Sequence, residues 1–133
     1  MSPRRVLPHE VPLVYALLQT HGWAHRLGSL AQFTQLIAAS QVADVAVVDG
    51  QVLGFVRGIT DGLSNGYLSM LVVAAAHRRR GIGRALVEHS LGASPHVTWV
   101  LRAGREGAPE FFAKLGFVAS STAMERPRAT PPS

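Results

Sequence analysis

The sequence predicts a single α/β domain of the α+β kind, with a mixed central β-sheet flanked by helices. Three observations carry that expectation. Two apolar patterns of helical period come first, and a hairpin of largely β-branched strands follows them. The stretch HRRRGIGRAL, residues 77–86, then joins a strand to a helix that leads into a further short strand. Strand, turn, helix, strand is a βαβ unit, which adds a parallel pair and a right-handed crossover to an otherwise antiparallel sheet. A length of 133 residues suits one such domain with one core.

The first helix is expected over residues 9–20, where Val11, Val14, Leu17 and Leu18 recur at helical spacing after Pro8. A second begins at Ser29, where Gln32 completes a capping box and Leu30, Phe33, Leu36 and Ile37 make the apolar face. Between them THGWAHRLG, residues 20–28, reads as a loop. Val42–Val48 is apolar and often β-branched, Asp49-Gly50 is a hairpin signal, and Val52–Ile59 is the returning strand. A loop with a second turn signal at Asn65-Gly66 leads to a strand over Tyr67–Val73. After the arginine turn, Ile82, Ala85, Leu86 and His89 share a helix face, Ser94-Pro95 breaks the chain, and VTWVL at 97–101 is a short strand. A last helix starts near Pro109, carries Phe111, Phe112 and Leu115, and stops at Gly116 in the C-cap position. The remainder is expected to hold a strand or two and a polar, proline-rich end, so 1–126 reads as one domain and 127–133 as a mobile tail.

Composition excludes several classes of function. At 47% hydrophobic and 16% charged residues the chain is globular, not disordered. It has no cysteine, hence no disulfide framework and no thiolate metal site, which fits a reducing cytoplasm. No apolar run reaches the roughly 18 residues that span a bilayer, and the start MSPRRVLPHEVP has no apolar segment of a signal peptide, so a soluble cytoplasmic protein without a membrane partner is expected. The formal charge of +5 calls for an anionic partner. Arg78, Arg79, Arg80 and Arg84 fall close together while the other basic residues are scattered. That clustering favours one local anion site over the long basic stripe of a nucleic-acid binder.

The anion such a turn holds follows from its position. Gly81 and Gly83 let the backbone turn tightly and approach a ligand, and the N–H groups of the first helical turn, which lack intrahelical partners, face outward with the positive end of the helix dipole. A phosphate is held there by amides and flanking guanidiniums. The turn is not a P-loop, since GxxxxGK[ST] is absent, and GIGR lacks the third glycine of a dinucleotide fingerprint.

Read together, LVVAAAHRRRGIGRALV and APEFFAKLGFV resemble the GCN5-related N-acetyltransferase (GNAT) superfamily. Arg78, Gly81 and Gly83 meet its acetyl-CoA loop, Arg/Gln-x-x-Gly-x-Gly/Ala, and Lys114, Gly116 and Phe117 meet part of its second signature, Tyr-x-Lys-x-Gly-Phe. The order of elements also matches, so the resemblance covers nearly the whole chain. It implies an acetyl-CoA-dependent N-acetyltransferase in which a neutral amine, on a small molecule or on a peptide or protein, attacks the thioester directly. Acetyl-CoA is then a co-substrate, no metal is called for, and a homodimer is compatible with the family. The amides of Arg79, Arg80, Gly81, Ile82, Gly83 and Arg84 are expected at the CoA pyrophosphate, with the arginine side chains, Arg78 included, on the phosphates. The strand end at Leu71, Val72 and Val73 is expected to pair with the pantetheine arm and to turn one N–H toward the thioester oxygen.

Two departures from the family pattern stand out. Phe112 occupies the position of a tyrosine that protonates the departing thiolate, although a thiol of pKa about 8.5 leaves near neutral pH unaided. The strand YLSMLVV also lacks the carboxylate that often serves as base. An alkylamine of pKa about 10.4 arrives protonated, so a base is still wanted. Asp61 is the first candidate for binding the ammonium and passing its proton through water; the alternative is an Asp-Gly turn residue bonded to its own backbone. Tyr67 and Ser69 are candidates to orient that water, and Trp23 to cover the amine with its π face or, alternatively, to act as a lid over the core. His21 and His25 sit in a loop setting unsuited to a helical metal pair. A CoA-binding module without turnover and a nucleic-acid binder are the competing functions.

Overall fold

The computed structural model describes residues 1–129, which divide into two compact units, Met1–Arg102 and a second starting at Ala103. The first unit holds a five-stranded sheet in simple sequence order: β1 Arg4–Arg5, β2 Val42–Val48, β3 Gln51–Thr60, β4 Asn65–Val73 and β5 Thr98–Leu101. Neighbours are antiparallel up to β4, and β4 and β5 are parallel, as the βαβ reading requires. The hairpin between β2 and β3 turns through Asp49 at φ 51° and Gly50 at φ 73°, the left-handed pair that a two-residue turn needs.

The helices of this unit are α1 Val11–Gln19, α2 Ala24–Leu27, α3 Leu30–Ala38 and α4 Ile82–Leu91. The capping box at Ser29 forms as expected: Ser29 Oγ accepts from the Gln32 amide at 3.1 Å, and the Ser29 amide donates to Gln32 Oε1 at 2.8 Å. Strand alternation places Val45, Phe55 and Val72 on one face of the sheet, where they meet Val14 and Leu18 of α1 and Phe33 and Ile37 of α3. The opposite face receives Ile82, Leu86 and Val87 of α4. Gly54 admits α4 closely, since a Cβ there would lie 2.9 Å from Leu86 Cδ1.

Two local expectations are corrected and one strand is added to them. The stretch between the first two helices is not all loop: Leu27, 3% exposed, is drawn into the core and winds Ala24–Leu27 into a short helix that Gly28 ends at φ 65°. Asn65-Gly66 does not turn; both residues open β4, and Gly66 is small because the Trp99 ring of β5 lies 2.5 Å from where its Cβ would be. The N-terminal Arg4-Arg5 pair forms an edge strand on β2 that no apolar alternation announces.

That edge is tied down by charge. Arg4 grips the buried Glu10 with two bonds of 2.9 and 2.7 Å, and the Leu7 amide donates to Glu10 Oε1 at 2.9 Å. The Arg4 hydrogen bond above all holds the Glu10 carboxyl down to about 2 from its ordinary 4.5. A depressed folded-state pKa contributes stability that is present above pH 4.5 and is lost as pH falls through 2. Glu10→Gln is therefore expected to cost about 1–2 kcal/mol near neutral pH and to flatten the acid limb of stability in that window, followed by urea denaturation at stepped pH. An acid limb as steep as that of the parent would remove Glu10 as its source.

In the second unit, α5 spans Ala108–Ala113. Gly116, at φ 92°, closes it: its amide donates to Ala113 O at 3.2 Å, and the Phe117 amide donates to Phe112 O at 3.1 Å. This is the Schellman arrangement, and the Phe112 and Phe117 rings, with centroids 5.6 Å apart, make its usual apolar contact. The strands expected after Gly116 do not form among the described residues; the segment is polar and exposes Val118 and Met124 almost fully. Residues 130–133 of the expected tail lie outside the described residues. Among the described residues no helix is long and apolar enough to cross a membrane.

Candidate functional site

The parallel pairing of β4 with β5 stops at Leu68 and Leu101, so from Ser69 to Val73 that edge of β4 has no strand beside it among the described residues. The register between β3 and β4 also shifts here: Phe55 faces Val72 and Arg57 faces Ser69, which leaves an extra residue on β4. Met70 absorbs it at φ 56°, a region side chains rarely adopt, and its buried side chain anchors the bulge in the core.

Beyond the bulge, the direction of each amide is fixed by alternation. The Ala74 amide donates to Leu53 O of β3 at 2.8 Å, so the backbone of Val72 faces β3 and that of Leu71 and Val73 faces the open edge. Of the three residues expected to line this edge, Val72 is thus turned away, with its side chain in the core; Leu71 and Val73 present their N–H and C=O groups.

The arginine turn begins one short 3₁₀ turn further on. Arg79 at φ 63° and Gly81 at φ 80° take left-handed conformations, and Gly81 is the N-cap of α4 with no side chain on the first amides. Ile82, Gly83 and Arg84 follow as the first helical residues, and their N–H groups have no partner within the helix. Arg78, Arg79, Arg80 and Arg84 are all exposed around them. Arg84 pairs with Glu88 one turn along at 2.7 Å, and Arg78 Nε reaches Val73 O at 3.4 Å. The βαβ unit therefore brings an open strand edge and an amide-rich, cationic helix start to one place.

Tyr67 and Ser69 stand on the face of β4 that looks toward α1 and α3, across from Ile59 and Arg57 of β3. Arg57 was not singled out by the sequence, although a lone charge inside VLGFVRGIT is a signal of its own. It is half-buried; its Nε donates to Ser40 Oγ at 2.8 Å, and burial pushes its pKa down. The loop carrying Trp23 is held near this face by His21. Its Nδ1 lies 2.8 Å from Leu17 O and its Nε2 accepts the Ala75 amide at 3.2 Å, which ties the loop to the end of β4. Trp23 is half-buried and packs against the core.

Asp61 is a turn residue. Its Oδ1 accepts the amides of Leu63, Ser64 and Asn65 at 2.8, 2.7 and 3.1 Å. Those amides, Ser64 first, lower its pKa, so it is a poorer base than an ordinary aspartate. Among the described residues no three of His, Cys, Asp or Glu are grouped to hold a metal.

The model of the acetyltransferase (GNAT) domain matches residues 39–119, from the end of α3 through the arginine turn to the end of the second signature. The chain belongs to the GNAT family. Solved members share its fold. A GNAT-family protein from Xanthomonas campestris superposes with a TM-score of 0.79 at 22% identity, over 96% of this chain and 94% of that one. A GNAT-family acetyltransferase from Streptococcus pneumoniae gives 0.74 at 23%, over 98% and 97%. An aminoglycoside 6′-N-acetyltransferase solved with coenzyme A gives 0.59 at 23%, over 68% of this chain and 53% of that one. A search of curated proteins finds no match.

Proposed function

We propose that this GNAT protein transfers the acetyl group of acetyl-CoA to a primary amine by direct attack. The observation that carries the reading is the open edge of β4 at Leu71 and Val73, set beside the unpaired amides at the start of α4. Those two features fit the two halves of the co-substrate: an extended amide chain for the strand edge, a pyrophosphate for the helix start. The coenzyme A complex of the aminoglycoside acetyltransferase supports the same co-substrate.

In this reading Val73 and Leu71 bind the pantetheine arm and the Leu71 N–H donates to the oxyanion, a role worth about 2.7–4 kcal/mol in other enzymes. The amides of Ile82, Gly83 and Arg84 hold the pyrophosphate, with Arg78, Arg79 and Arg80 on its oxygens. A water oriented by Tyr67 and Ser69 first takes the ammonium proton. The freed lone pair forms the new C–N bond, the C–S bond breaks, coenzyme A leaves as thiolate, and the second N–H proton passes through water to that thiolate. Asp61 is not carried forward as the base, because its Oδ1 is committed to three amides.

Titration calorimetry with acetyl-CoA, CoA and dephospho-CoA, followed by thiol release across a panel of amines, tests this. Saturable acetyl-CoA binding with amine-dependent release is the expected result; absence of binding at millimolar ligand ends the assignment. A second reading, a CoA-binding module without turnover, is favoured by Phe112, which has no proton to give and is taken up in closing α5. Binding without release for any amine would select it.

A further inference from the structure

We infer that the amine acceptor carries a carboxylate, as an amino acid or a peptide with a free carboxyl terminus does, and that Arg57 holds it. This rests on the acetyl-transfer reading above and narrows its substrate. Arg57 stands in the middle of β3 between two small neighbours, Ala43 of β2 and Ser69 of β4, directly across the strands. Both of its cross-strand neighbours are therefore small. Two residues past Ser69 along β4 is Leu71, whose amide faces the open edge.

Among the described residues the only hydrogen bond of this guanidinium is Nε to Ser40 Oγ, and no carboxylate pairs with it. Ser40 is itself fixed, since its Oγ donates to Leu36 O at 2.7 Å in the last turn of α3. One edge of the guanidinium is thereby locked in direction, and both Nη groups remain for a planar, two-oxygen partner. A half-buried arginine without an anion is costly to keep. A carboxylate matches its fork in shape and charge.

A doubly charged phosphate suits the place less well. The other cation at this end of α3, Arg5, is spent on the backbone oxygens of Ile37, Ser40 and Gln41. One guanidinium balances one negative charge. The burial that lowers the Arg57 pKa is consistent with a desolvated site.

The test compares L-amino acids and dipeptides with their own carboxamides as acceptors, with the parent protein, Arg57→Gln and Arg57→Lys. For the parent, kcat/KM for the acids is expected to exceed that for the amides by at least about 30-fold. Arg57→Gln should erase that ratio, chiefly through KM, while the Kd for acetyl-CoA measured by calorimetry stays within about two-fold. Arg57→Lys should keep part of the ratio, because it keeps the charge and loses the fork. Acids and amides turned over alike, a preference that survives Arg57→Gln, or acetyl-CoA bound with no carboxylate acceptor turned over would each overturn the inference and leave the co-substrate assignment standing. Failure to bind acetyl-CoA at all would be the failure of the parent reading, and this one falls with it. If neither variant folds, a parent acid-to-amide ratio near one still overturns the inference.

Discussion

Gly83→Asp is expected to weaken acetyl-CoA binding by on the order of 100-fold while the fold stands. Gly83 is the second residue of α4, after the N-cap Gly81 and Ile82, and its φ lies outside the left-handed region, so its backbone accepts a side chain without strain. An aspartate in the first turn also complements the helix dipole, so the helix itself is favoured by the change. What the change harms is the anion: unit charges about 6 Å apart at an effective dielectric of about 20 repel by about 2.8 kcal/mol, a factor of about 100 in affinity. Calorimetry gives the affinity and the thermal midpoint gives the fold. A midpoint at or above the parent value with lost binding assigns the turn to the pyrophosphate. An unchanged Kd would remove that assignment.

The turn was legible because its chemistry is local. Two glycines, four arginines and the following apolar period stand in one stretch of chain, and the structure puts Gly81 at the left-handed N-cap that such a stretch needs. The hairpin at Asp49-Gly50 and the capping box at Ser29 are local in the same sense. Asn65-Gly66 misleads because the same dipeptide answers two needs, and here Gly66 serves close contact with Trp99, a residue of another strand. The edge strand at Arg4 and Arg5 exists through pairing with β2 and the grip on Glu10, neither of which leaves a period in the sequence. The bulge at Met70 is a register shift between two strands, which an apolar run such as MLVV does not mark.

The face of β3 and β4 proposed to receive the acceptor was the least legible part for the same reason. Ser40 from the end of α3, Arg57 from β3 and Tyr67 from β4 meet only when the sheet is assembled. Asp61 drew attention as the carboxylate nearest the central strand in sequence, and the fold uses it to close the turn into that strand. Phe112 shows the reverse: as a departure from the family signature it suggests a missing acid, while in the structure its carbonyl and ring close α5.

Phe55→Ala is expected to be the most damaging single truncation, costing about 3–5 kcal/mol of stability. Phe55 is fully buried at the centre of β3, between Val45 of β2 and Val72 of β4, and its ring meets the edge of Phe33 at 6.4 Å, which in turn packs on Tyr15 at 5.6 Å. That chain of rings fastens α1 and α3 to the sheet. The cavity has little chance to collapse, because the neighbours on both strands are held by ladder hydrogen bonds and the bulge at Met70 already sets the spacing of β4. A domain of ordinary stability has about 5–15 kcal/mol in total, so the variant should stand near the edge of folding. Urea denaturation should show a lower midpoint with an unchanged slope, and Phe55→Leu should recover much of the loss. A loss below about 1 kcal/mol would mean that the helices are fastened elsewhere. The open edge of β4 is then a sensitive second readout, because Val72, which sets the direction of the Leu71 and Val73 amides, rests against Phe55: acetyl-CoA affinity of the folded fraction should fall in Phe55→Ala and return in Phe55→Leu.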